Sequence, residues 1–433
     1  MGTMILVIAI IIEIAFSVFC ICTKSLNKNI RSIMRIGSFL VFVILILTSV
    51  IDLNFRWKWL SALLLVWGIM GCISLIKVRS QGRTVQIGYK GGRVIRKAVA
   101  ALLLVAIALI PALVFTEHEL IKTTGQYKVA TAIYTYTDEN RMETYTDTGE
   151  NRKLNVEFWY PEESKGTYPL VIFSHGAFGI KSSNESLYNE LASQGYVVCS
   201  IDHTYQSLFT TDVDGKKTWV DRGYMQEILS EDAKANKQQS YEFYQKWMVI
   251  RTGDINFVLD NILKKVDNND ANTVYKLVDV TKIGVMGHSL GGSAALGIGR
   301  MRDDVSAVIA LESPFMCDIK GVKDGEFVFK DEIYPVPVLN VYSDSSWNNL
   351  AHSPQYAENY SLLSHTNATA FNSYISGVWH LTLTDLALTS PFLTRMINGH
   401  KSTTGTEYCL KMINKICLEF FDCYLKGEGK FKL

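Results

Sequence analysis

The sequence predicts an α/β fold, a mostly parallel doubly wound sheet, preceded by an α-helical transmembrane bundle. Three observations carry this reading. Four long apolar stretches crowd into the first 116 residues. Beyond them, short apolar strand-like runs alternate with segments of helical period. One such run, 282–288, ends abruptly in Gly287-His288-Ser289-Leu290-Gly291 and gives way to small residues at helical spacing. A chain of 433 residues has room for two or three domains. The expected division is four membrane helices over 1–116, a linker and first strands over 117–152, and an α/β domain over 153–433. Apolar residues make up 48% of the chain, high for a wholly soluble protein, and the net charge of +1 argues against a general polyanion binder.

The apolar stretches cover about 4–22, 36–53, 59–76 and 98–115, each near the length that crosses a ~30 Å hydrocarbon core. A cleaved leader is the alternative for the first, but residues 1–4 carry no positive charge and no cleavage context follows Cys22. Glu13 lies inside that span, where a carboxyl either serves the bundle interior or is tolerated by pairing. The first loop holds Lys24, Lys28, Arg31 and Arg35, and the third holds Lys77, Arg79, Arg83, Lys90, Arg93, Arg96 and Lys97, both without an acid. The middle loop sets Asp52 against Arg56 and Lys58. With both basic loops in the cytoplasm, the N-terminus and everything after about Thr116 lie outside. The expected location is therefore a multi-pass protein of the cell membrane with its α/β domain on the extracytoplasmic side. Of eight cysteines, Cys20, Cys22 and Cys72 lie in spans, and no C-x-x-C pair occurs, so no zinc or dithiol motif is present.

Downstream, 128–137 alternates as a half-buried strand does, 138–152 is polar with turn residues, and 154–160 is a second strand stopped by Pro161. Short strands follow at 170–174 and 197–202, with a helix over 185–194 between them. The polar stretch 204–237 breaks the rhythm as a lid or a plain loop would. An amphipathic helix covers 240–264, with Arg251 and Asp254 bracing its polar face. After the 282–288 strand come strands at 305–311, 336–342 and 370–375, and a closing helix at 405–426.

The G-x-S-x-G pattern alone is weak; its setting between strand and small-residue helix gives it weight. Glycines on both sides let strand and helix close on each other, so the Ser289 hydroxyl projects from the bend, and the helix N-terminus favours an oxyanion there. A serine attacks an acyl group only when a base takes its proton and a third group holds that base. His380, after the last strand, stands where the α/β-hydrolase order of chain requires the base. Seven other histidines compete; His288 lies in the elbow, His175 in the candidate oxyanion loop, and His203 has the next-cleanest strand-end setting. For the acid, Glu312 and Asp344 both follow strands between serine and histidine, and strand order favours Asp344. Two backbone amides complete such a site: Leu290, just after the serine, and Ala177, after the turn at Gly176.

Five stretches, FSHGAFG, IDHTY, GHSLGG, IALESP and GVWHLTLTD, resemble the platelet-activating-factor acetylhydrolase family, plasma type. The likeness spans about 153–426 and leaves out the membrane helices. It implies an α/β-hydrolase that removes short acyl groups from phospholipids without calcium. It maps Ser289 to the nucleophile, His380 to the base, and Ala177 and Leu290 to the oxyanion amides. The family's acid falls 23 residues after the serine, on Glu312, where the family has aspartate. The expectation is thus a membrane-anchored serine esterase acting on a small-molecule or lipid ester at the bilayer, with no cofactor, metal or nucleic acid. Other serine hydrolases (a polyester or small-ester hydrolase, an envelope acyltransferase) fit the same sequence, as does a sensor whose inactive hydrolase fold binds ligand.

Overall fold

The computed structural model describes residues 1–433 except 82–88, 120, 163–164, 271 and 365–369; Arg83 and His365 therefore fall outside the described residues. Two compact units result, Met1–His118 with Thr389–Leu393, and Glu119–Leu388 with Thr394–Leu433.

In the first unit four helices, α1 (Gly2–Cys22), α2 (Lys28–Leu47), α3 (Phe55–Gln81) and α4 (Gly91–Val114), are each long and apolar enough to cross a membrane. Phe42, Trp57, Leu60, Val105 and Leu109 pack inside the bundle, while Ile11, Leu47 and Ile76 stand exposed on its outside. A helix apolar on both its packed and its outer face suits lipid as solvent. Two spans begin earlier than their hydropathy suggests. α2 starts at Lys28 and α4 at Gly91, so Arg31, Arg35, Arg93, Arg96 and Lys97 are helical residues and not loop. Glu13 is paired: its carboxylate takes a 2.8 Å hydrogen bond from Arg31, which brings that arginine inside the bundle.

The second unit is built on an eight-stranded sheet. Its strands are β1 (Val129–Met142), β2 (Asn151–Pro161), β3 (Tyr168–Ser174), β4 (Val197–Asp202), β7 (Val278–His288), β8 (Val305–Leu311), β11 (Val338–Tyr342) and β12 (Ala370–Tyr374). Two hairpins, β5–β6 (Phe209–Thr211, Lys217–Trp219) and β9–β10 (Ile319–Lys323, Glu326–Phe329), lie outside it. The spatial order is β1-β2-β4-β3-β7-β8-β11-β12, antiparallel at the β1, β2 edge and parallel from β4 onward. β3, β4 and most of β7 are buried on both faces, hence their unbroken apolar runs. Helices cover both sides: α5 (Glu185–Ser193) and the closing helix Thr406–Phe421 pack together, and α7 (Lys237–Asp267) packs with α9 (Leu290–Met301). A short α6 (Arg222–Ser230) precedes α7 and a single turn, α8 (Thr273–Lys276), follows it.

The chain steps outward from β3 to β4 and then returns across β3 to lay down β7. This reversal opens a crevice at the carboxyl ends of β3 and β7, where ligands bind in sheets of this kind. Three local expectations need correction. The turn between the first two strands is shorter than 138–152, because cross-strand pairing of Thr137 with Lys153 and Asp138 with Arg152 carries β1 into that polar stretch. The 204–237 excursion is ordered as β5–β6 and α6. Arg251 and Asp254 do not brace a polar face: both are fully buried, with their partners on the sheet side of α7.

Candidate active site

β7 ends at His288, and Ser289 turns the chain into α9 with φ 54° and ψ −125°. A non-glycine residue at such a positive φ is strained and persists only where its surroundings hold it. The Ser289 amide donates to the Leu311 carbonyl at 2.9 Å, pinning the bend to the neighbouring β8. The flanking glycines are sterically required. A Cβ on Gly291 would lie 1.9 Å from the Ser174 carbonyl oxygen, and one on Gly287 2.4 Å from the Gly291 carbonyl carbon. The helix therefore starts hard against β3, and the Leu290 amide belongs to a first turn whose N–H groups have no acceptor within the helix.

The loop after β3 carries Ala177, the second amide the sequence reading named. A Cβ on Gly176 would lie 3.0 Å from His288 Nδ1 and 3.2 Å from the Ser289 Cβ, so this loop runs directly beside the elbow. Ala177 follows, partly buried, and Phe178 has a positive φ of 58°.

His380 opens a 3₁₀ turn, His380–Leu383, after β12. Its amide donates to Ser345 Oγ at 2.9 Å and its carbonyl lies 3.1 Å from His288 Nε2. The two imidazoles lie 4.5 Å apart, centre to centre. That brings His380 to the residue next to Ser289. Burial holds its ring at a pKa of about 4, so it is neutral and able to accept a proton at pH 7. Neither the His380 ring nor the Ser289 hydroxyl is hydrogen-bonded to another described side chain. Such contacts are commonly loose without substrate and tighten on binding.

The two acids have different surroundings. Glu312, just past β8, is 1% exposed with φ 53°, and its amide donates to the Val341 carbonyl at 2.7 Å. Its Oε2 accepts the Ser343 amide, while Oε1 is buried with no partner among the described residues. Burial pushes its carboxyl up, against the opposing pull of Ser346 and Ser343. Asp344 is already engaged: it accepts the Tyr374 hydroxyl at 2.5 Å and the Gly377 amide at 3.2 Å, fastening the loop that leads to His380. Glu312 thus keeps one oxygen with no hydrogen bond to a described residue, though Ser346 acts on its carboxyl, while Asp344 is tied to the loop that leads to His380.

The model of the family "platelet-activating factor acetylhydrolase, isoform II" matches residues 124–432. The chain belongs to that family. It is 23% identical over 287 residues to the platelet-activating factor acetylhydrolase of Cavia porcellus, covering 64% of this chain and 62% of the relative. A cutinase of Thermobifida cellulosilytica is 27% identical over 153 residues, covering 35% and 42%. The chain thus spans less than two thirds of the length of these relatives. Among solved structures, a ferulic acid esterase from Streptomyces cinnamoneus superposes with a TM-score of 0.53 at 20% identity, covering 73% of this chain and 95% of the esterase. That likeness shows the shared α/β-hydrolase fold.

This acetylhydrolase-family domain also holds a buried Ser–His–Asp chain that the motif reading did not find. Ser174 Oγ lies 2.8 Å from His203 Nε2, and His203 Nδ1 lies 2.9 Å from Asp254 Oδ2. All three are sealed from solvent, so no substrate reaches them. Asp254 also receives Arg152 at 2.6 and 2.7 Å and Arg141 at 2.9 Å. Burial alone would raise its pKa, but the guanidinium of Arg152 and its hydrogen bonds outweigh that and hold the carboxyl below the usual range. His203 is held at about 4 by burial and by Arg251, despite Asp254.

One turn earlier on α7, buried Arg251 grips the loop after β3. Its guanidinium donates to the His175 carbonyl, to the Gly176 carbonyl at 3.4 Å and to Gln206 Oε1 at 2.7 Å. The carbonyl of Gly176 and the N–H of Ala177 belong to one planar trans peptide and point opposite ways. Tethering the first turns the second away from Arg251. In the sequence Arg251 and Asp254 read only as charges bracing the polar face of a long helix, so nothing there signals this contact.

Proposed function

We propose that this chain is a membrane-anchored serine ester hydrolase. Ser289 attacks an ester carbonyl while His380 takes its proton, and the Ala177 and Leu290 amides stabilise the oxyanion. Glu312 orients and supports the imidazolium through its unpartnered Oε1. His380 then protonates the departing alcohol, and a water deprotonated by the same imidazole releases the acid from the acyl-serine. The observation that carries this is the strained Ser289 at a helix N-terminus, with the Gly176 loop on one side and the His380 turn on the other.

The substrate class we favour is an ester with a short or modified acyl chain, phospholipids included. The family and four apolar helices that would hold the enzyme at a bilayer support it. The helices would make this a multi-pass membrane protein with the catalytic domain on the extracytoplasmic side, as the basic loops imply. The cutinase relatives favour a second reading, a polyester or small-ester hydrolase.

A fluorophosphonate probe tests the nucleophile: the full-length chain in detergent is expected to be labelled, and Ser289→Ala not. Equal labelling of both would remove Ser289 from the role, and no labelling of the wild type would favour the inactive-sensor alternative. Hydrolysis rates on short-acyl phospholipids, long-acyl phospholipids and water-soluble esters then separate the substrate classes.

A further inference from the structure

The helical bundle carries a half-open groove of about 460 Å³, lined by residues of all four helices. Its wall is apolar along most of its length, with Leu45 and Leu64 among the lining residues, and polar at one end, where Glu13, Arg31 and Arg35 line it. Along α2 the lining runs from Arg31 to Leu45, roughly 20 Å at 1.5 Å per residue. The polar end carries two guanidiniums against one carboxylate. Arg31 uses its charge on Glu13. Arg35 has no ion pair with any described carboxylate, and its guanidinium rests 5.3 Å from the centre of the Trp67 ring. Glu13, the carboxylate at this end of the groove, is already bonded to Arg31, so one positive charge is left in excess, and an unbalanced cation in a membrane bundle favours an anion there. The volume suits one aliphatic chain and not two, within the range of small-ligand pockets.

We propose that the bundle binds a single-chain amphiphile with an anionic head group, its head on Arg35 and its chain along α2 toward Leu45. The shared chemistry is a carboxylate or phosphate on one alkyl chain, which a free fatty acid or a lysophospholipid supplies. This goes beyond anchoring and does not depend on the esterase reading. The test uses the full-length chain in nanodiscs of zwitterionic lipid and a photoactivatable alkyl-ether lysophosphatidate, which no esterase cleaves. A neutral alkyl-glycerol of the same chain length serves as the comparator.

Saturable labelling is expected on α1 or α2 peptides, at least about fivefold stronger for the phosphate probe than for the neutral one. Arg35→Gln should abolish that preference, and Arg35→Lys, which keeps the charge, should retain it. Competition by unlabelled lysophosphatidate or by palmitate tells a phosphate head from a carboxylate. Labelling that does not saturate, that is equal for both probes, or that survives unchanged in Arg35→Gln overturns the proposal. Ester hydrolysis measured on the same variants is expected to stay at the wild-type rate, so a lost lipid site and a lost active site read out separately.

Discussion

Replacing Arg251 by glutamine should slow turnover without weakening substrate binding. The guanidinium makes two contacts to the carbonyls of His175 and Gly176, and the second of these belongs to the peptide that carries the Ala177 N–H. Removing one oxyanion donor outright costs about 10²–10³ in kcat. Here Ala177 stays in the chain and loses only the tether on its peptide plane, and the Leu290 amide is untouched. The expected loss is therefore about 10- to 100-fold in kcat, with KM within about threefold. Two buried carbonyls also lose a charged donor, which costs about 1–3 kcal/mol each in stability, so folding must be followed in parallel by thermal melting. Arg251→Lys, which keeps one donor and the charge, should recover part of the rate. The assay is steady-state hydrolysis of a short-acyl chromogenic ester by the full-length chain in detergent. A folded Arg251→Gln enzyme whose kcat lies within about twofold of wild type would refute the account of how Ala177 is oriented.

Exchanging the two acids should separate them: Glu312→Ala is expected to lower kcat/KM by at least about a hundredfold, the scale of an orienting carboxylate. Asp344→Ala should act more weakly, by loosening the Tyr374 and Gly377 contacts, and a larger loss from Asp344→Ala would transfer the role. The pH dependence of kcat/KM follows from the lowered His380 pKa. The base works when neutral, so the acid limb should lie near pH 4 and not near the ordinary 6.5. At pH 5.5 an unshifted imidazole would be only about a tenth neutral, whereas this one should still be almost wholly so. An acid limb at 6.5 in a pH–rate profile would show the shift to be absent. Asp254→Asn leaves Arg152 without its main buried counter-charge, and should cost about 3–5 kcal/mol of domain stability in denaturant melts; a change below about 1 kcal/mol would contradict the network.

The fold was most legible where burial on both faces dictates composition. β4 and β8 coincide with their apolar runs to the residue, because a central parallel strand admits little else and turn residues bound it. The elbow was legible for the same kind of reason: close packing of α9 on β3 excludes any side chain at Gly291. Legibility failed where tertiary contacts override local chemistry. The polar ends of β1 and β2 pair because β1 is the edge strand and supplies β2 with hydrogen bonds beyond the reach of β4, and the 204–237 stretch orders against the domain despite its loop-like composition. Charged residues misled twice. Arg31 folds into a span because Glu13 neutralises it, and Asp254 sinks into the core because three cationic or imidazole partners surround it. Strand order favours Asp344 and the family resemblance Glu312, since both residues follow strands in the permitted interval; the hydrogen bonds each makes differ in a way no sequence pattern shows.

Pairing of Ser174 with Gly287 across the β3–β7 ladder has a consequence for how such a site can change. Ser289 and the Gly176 loop leave the sheet just beyond this shared rung, so the gap between them is inherited from the ~4.8 Å strand spacing. No side chain sets that distance, and altering the surrounding walls leaves it intact. Selectivity can therefore drift through the peripheral loops while the reacting geometry stays constant, which lets one scaffold serve esters as unlike as those named for its relatives.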